Sequence, residues 1–73
     1  MGQLFRLLGR YAPVKLIEFF LDNPTGEFHE KEVEKKTGLA KASVGRWLKE
    51  LVDMGFLLNK QRARLSIHYL NKN

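Results

Sequence analysis

The chain has 73 residues, 44% of them hydrophobic, with thirteen Lys or Arg against eight Asp or Glu, a formal net charge of +5, and no cysteine. A domain of this size buries only about 60% of the surface its unfolded chain exposes, so one domain with a thin core is the expectation, and disulfides, thiolate metal sites and cysteine nucleophiles are excluded. No apolar run reaches membrane-spanning length and the start has no signal-peptide pattern, so a soluble, cytoplasmic protein is expected.

Residues 1–11 place Leu4, Phe5, Leu7, Leu8 and Tyr11 at helical spacing around Arg6 and Arg10. So short an apolar helix is unstable alone because nucleation is costly, and it has to dock, either on its own domain's core or on a second protomer. Residues 12–73 form the domain proper. Ala12-Pro13 opens a helix, with proline near the first position where its missing N–H costs little. Asp22-Asn23-Pro24 stops it. Its apolar arc, Val14, Leu16, Ile17, Phe19, Phe20 and Leu21, is wider than one stripe. The expected phase turns Ile17, Phe20 and Leu21 to the core and leaves Leu16 and Phe19 for another contact. With Leu4, Phe5 and Leu8, those two are the candidates for a dimer interface.

Thr25-Gly26-Glu27 reads as a turn, and Phe28 as an apolar anchor or brief strand. Residues 29–37 read as a short polar helix with Val33 inward, and Gly38 as its left-handed stop. A second helix at 40–54 puts Val44, Trp47, Leu48, Leu51 and Val52 on one face. Lys41, Ser43, Gly45, Arg46 and Lys49 lie on the other. Helix, glycine turn and basic helix make a helix-turn-helix. After Gly55, Phe56-Leu57-Leu58 begins a strand, residues 59–63 read as a polar turn region, and residues 65–70 alternate as a second strand. Lys60, Arg62 and Arg64 share one parity across that turn, so a cationic ribbon follows a cationic helix.

The charge is segregated. Residues 1–34 hold four Lys or Arg against six Asp or Glu, whereas residues 35–64 hold eight against two. Such a split is the electrostatic footprint expected of a nucleic-acid or anionic-surface binder, the bland alternative being a solvated basic face with no partner.

The stretch TGLAKASVGRWLKELVDMGFL resembles the turn and recognition helix of winged helix-turn-helix proteins, in particular small archaeal or bacterial transcription regulators. The resemblance spans roughly residues 13–71. It implies an α+β, mainly α fold, a three-helix core with a two-stranded β-wing at 57–70, here preceded by the short N-terminal apolar helix. It implies that Lys41, Ala42, Ser43, Gly45, Arg46 and Lys49 face the DNA major groove while Lys60, Arg62 and Arg64 form the wing. The implied core is Ile17, Phe20, Val33, Leu39, Val44, Leu48 and Leu51. For the second wing strand it turns Ser66, His68 and Leu70 inward, whereas plain alternation prefers Leu65, Ile67 and Tyr69. Both registers stay open. Ala40 stands where the family usually has a capping Ser.

The expected function is double-stranded DNA binding by a nucleoid-associated, homodimeric transcription regulator. Arg46 offers a fork to guanine O6 and N7 or a clamp on phosphate, and Ser43 a bond to a base edge or phosphate. Ala42 and Gly45 keep the helix close to the groove floor. Trp47 reads as packing rather than as a base-stacking platform. His29 and His68 are isolated, no glycine-rich phosphate loop occurs, and neither catalysis, metal nor cofactor is expected. The alternative is a protein-interaction winged helix that works through its apolar surplus, since fold does not fix function.

Overall fold

A computed structural model describes residues 12–72. The element order is α1 (Ala12–Asp22), β1 (Phe28–His29), α2 (Glu30–Thr37), α3 (Lys41–Asp53), β2 (Leu57–Arg62) and β3 (Leu65–Leu70). The strands form one antiparallel sheet in the order β1-β3-β2. The apolar residues 4, 5 and 8, and the helix expected there, lie outside the described residues. No described helix is long and apolar enough to cross a membrane.

The expected phase of α1 is corrected. Ala12, Leu16 and Phe20 are the buried residues, at i, i+4 and i+8. Leu16 is fully buried in the domain's own core, which removes it from any dimer surface, while Leu21 is 55% exposed. Ile17 and Phe19 flank the stripe, half-buried against the core. Phe19, Phe20 and Phe28 meet as an aromatic cluster, with centroids 4.8–5.8 Å apart in tilted and edge-on pairs, a geometry that adds to simple area burial. The helix ends at Asn23, whose backbone N–H donates to the Phe20 carbonyl and whose side-chain amide donates to that of Phe19. Gly26 is required by close approach, since a Cβ there would overlap the Phe28 ring.

Phe28 does form a strand. It pairs with His68, and His29 with Ile67, so the sheet has three strands rather than the expected two. His29 then caps α2, its N–H donating to the Glu32 carboxylate at 3.2 Å. Val33 is the buried residue of this helix. Gly38 ends it at φ 76°, donating to the Glu34 carbonyl at 2.8 Å, a conformation a side chain disfavours.

Ala40 precedes helix α3 at the capping position and supplies no side-chain cap. The Thr37 hydroxyl donates back to the Val33 carbonyl and accepts from the Leu39 N–H, and so does not replace it. Val44, Leu48 and Leu51 are buried. At its end the Gly55 N–H donates to the Val52 carbonyl and the Phe56 N–H to that of Leu51. Gly55 is left-handed at φ 85°, and the pair of bonds satisfies carbonyls the helix would otherwise leave open.

The expected turn at 59–63 is shorter than its polarity implies. Asn59 to Arg62 continue β2, and Arg62 pairs with Leu65 across the two-residue turn Ala63-Arg64. Residues directly opposite in an antiparallel pair share a face, so the register decides the orientation of β3. Leu57, Phe28 and Leu70 pack on the core, which sets Ser66, His68 and Leu70 toward the helices. Leu65, Ile67 and Tyr69 lie on the outer face, where Leu65 is 47% exposed but Ile67 only 4%.

Candidate nucleic-acid interface

Helical geometry places residues at i, i+4 and i+7 in one line, and on α3 that line is Ala42, Arg46 and Lys49. All three are exposed, as is Lys41 at the helix start. Ser43 and Gly45 are half-buried on its two flanks. The Arg46 guanidinium lies 5.0 Å from the centroid of the half-buried Trp47 ring, a cation–π contact that steadies the long side chain while leaving its edge free to bind. Trp47 is partly covered by the core. The exposed acids Glu50 and Asp53 bound this face at its C-terminal end.

Gly45 is the one member of the expected set whose place differs in kind. A Cβ there would meet a Glu30 carboxylate oxygen at 3.6 Å, ordinary contact. Gly45 lines a cleft of about 320 Å³ between α3 and the hairpin, together with Glu30, Lys49, Val52, Asn59 and the inward side chains Ser66 and His68 of β3. The Asn59 amide donates to the Ser66 hydroxyl and to the Ile67 carbonyl at 3.2 Å, and lies 3.4 Å from His68 Nε2. His68 is only 6% exposed, and its Nδ1 has no hydrogen-bond partner among the described residues. Burial pushes its pKa below the ordinary imidazole value, against an opposing pull from Glu30.

The hairpin cations divide into two kinds. Arg64 is exposed in the turn. Lys60 and Arg62 donate to the two oxygens of one carboxylate, Glu27, at 2.7 and 2.8 Å. The hydrogen bond from Lys60, joined by that from Arg62, holds the Glu27 carboxyl below its usual range. Lys60 Nζ also stands 5.2 Å from the centroid of the Tyr69 ring. The Glu27–Lys60 bridge runs from the approach to β1 across to β2, over the face of β3 that Ile67 occupies.

The chain thus brings Lys41, Ala42, Arg46 and Lys49 to one exposed face, sets Ser43 and Gly45 at its margins, and ties Lys60 and Arg62 to an acid that sequence reasoning read as a turn residue. Glu27 and Lys60 are 33 positions apart, and no local pattern joins them. No group of three or more His, Asp or Glu able to hold a metal occurs among the described residues. No protein-family model matches the chain, and no curated protein matches it.

Proposed function

We propose that this chain is a winged helix-turn-helix protein that binds double-stranded DNA, with α3 in the major groove and the β2–β3 hairpin as a wing on the backbone or minor groove. The observation that carries the reading is the outer face of α3. Arg46 and Lys49 stand on it beside the small Ala42, and neither pairs with an acid among the described residues. The α2–Gly38–α3 arrangement and the hairpin after α3 accord with it. Lys and Arg that neutralise phosphates release condensed counterions, Arg46 reads guanine or clamps phosphate, and Ser43 bonds from the flank. The role is one of binding rather than catalysis, as a transcription regulator.

A homodimer belongs to the proposal, because two-fold partners read half-sites about one DNA turn apart and Leu21 and Leu65 are exposed. Light scattering that shows a monomer at micromolar concentration removes that part.

The test is fluorescence anisotropy of a labelled mixed-sequence duplex at several salt concentrations. The expected log–log slope is several units, at about 0.9 per neutralised phosphate. On a selected site, Arg46→Ala is expected to lower affinity by roughly 1–3 kcal/mol. Folded protein that binds no duplex at low salt overturns the reading. The second reading, a protein-interaction module, is favoured by one observation: Leu58 and Leu65 are exposed on the same outer face of the hairpin.

A further inference from the structure

The geometry points to Glu27 as a built-in competitor of the nucleic-acid phosphate: its carboxylate occupies the anion site that Lys60 and Arg62 form, and so limits the hairpin's share of binding. This rests on the DNA-binding reading above and concerns one residue within it.

The arrangement is that of a small anion site already filled. One cation reaches each carboxylate oxygen, Lys60 Nζ to Oε2 at 2.7 Å and Arg62 Nη2 to Oε1 at 2.8 Å. Two cations converging on two oxygens of one planar anion match a phosphodiester's two free oxygens equally well, since carboxylate and phosphate share this mode of recognition. Lys60 is further held over the Tyr69 ring, so the site is kept in shape by β3 as well as by Glu27. It is also open to solvent, with the Arg62 side chain 62% exposed, so an incoming anion needs no rearrangement of the fold to reach it.

A cation already neutralised by an internal carboxylate does not neutralise a phosphate, and so displaces no counterion condensed on the nucleic acid. While Glu27 is in place, the hairpin's contribution to salt-dependent binding therefore comes from Arg64 alone. Its loss frees two cations at once and removes one like charge that faces the phosphate. Glu27 thus keeps a small, highly basic domain from binding any polyanion through its hairpin, and leaves discrimination to the face of α3.

The experiment compares the 73-residue chain with its Glu27→Gln variant, which keeps shape and loses charge, by anisotropy on the same mixed-sequence duplex from low to moderate salt. Circular dichroism melts accompany it to confirm folding. The expected result is an affinity gain of roughly tenfold at 0.1 M salt and a log–log slope steeper by roughly 1–2, as follows from about 0.9 per added phosphate contact. Adding Lys60→Gln and Arg62→Gln to Glu27→Gln is expected to return both quantities to the parent values. Parent and Glu27→Gln that bind with equal affinity and slope overturn this inference and leave the DNA-binding reading standing. A gain that survives the loss of Lys60 and Arg62 overturns it as well, because the charge then acts at long range. Folded parent and variant that both ignore duplex overturn the reading and the inference together.

Discussion

His68 is the residue with the least comfortable place. Its ring is buried beside the Asn59 amide, it faces Glu30 from α2 and Lys49 from α3 across the cleft, and one ring nitrogen lacks a partner among the described residues. Burial lowers its pKa in the folded state below the unfolded value of 6.5. The folded protein then binds fewer protons than the unfolded chain over the interval between the two values, so stability rises with pH there. The contribution is complete above about pH 6.5 and is lost as pH falls through the lower, folded-state pKa. Urea midpoints measured from pH 7.5 down to 5 are expected to fall, and to fall less in His68→Gln. An equal pH dependence in the two proteins would mean that the carboxylates alone drive it. Gly45 lies on the wall of the same cleft. A glycine inside a helix costs roughly 0.5–1 kcal/mol relative to alanine, and the 3.6 Å spacing to Glu30 shows no steric reason for it among the described residues.

At the scale of the element, α1 shows how a helix rich in apolar residues chooses its phase. With apolar side chains at 16, 17, 19, 20 and 21, periodicity admits several stripes, and the partner surface decides among them. Here α3 and the Phe28 ring select Ala12, Leu16 and Phe20. Leu16→Ala is therefore expected to cost about 2–5 kcal/mol, as for other buried leucines, and Leu21→Ala about 0.5 kcal/mol or less. Chemical denaturation of both variants checks this, and comparable losses would contradict the assigned phase. Helix α3 was legible in the sequence because its charged and apolar residues alternate at one period, and Gly38 and Gly55 marked its limits. The strand status of residues 59–62 was not, because Asn59, Lys60, Gln61 and Arg62 are polar on both faces and offer no alternation to read. Nor was the pairing of β1, which depends on β3, far along the chain from it. On the α3 side the candidate site was visible as sequence; on the hairpin side the neutralising role of Glu27 required the folded chain.

For the whole molecule, the charge asymmetry along the chain does not survive as a simple asymmetry in space. An acid from the acidic half reaches the basic half at Lys60 and Arg62, and Glu30 and Lys49 line the same cleft. Among the described residues, Lys31, Lys35 and Lys36 of α2 have no ion pair, and neither do Lys41, Arg46 and Lys49 of α3 or Arg64 of the turn. If the proposed DNA contact is made, the helix carries most of it and the hairpin is held in reserve.

The register that sets Phe28 beside His68 also fixes an order of events. The α2–α3 pair and the β2–β3 hairpin join residues close in sequence, whereas β1 meets β3 across forty positions. Closing so long a loop costs entropy that only the finished β1–β3 ladder and its packing return. The first strand is thus expected to lock last, after the rate-limiting step, so that Phe28→Leu speeds unfolding and leaves the folding rate nearly unchanged. Stopped-flow chevrons read both limbs. A slowed folding limb would instead place the long-range β1–β3 contact in the nucleus, and the domain would then assemble around that pairing.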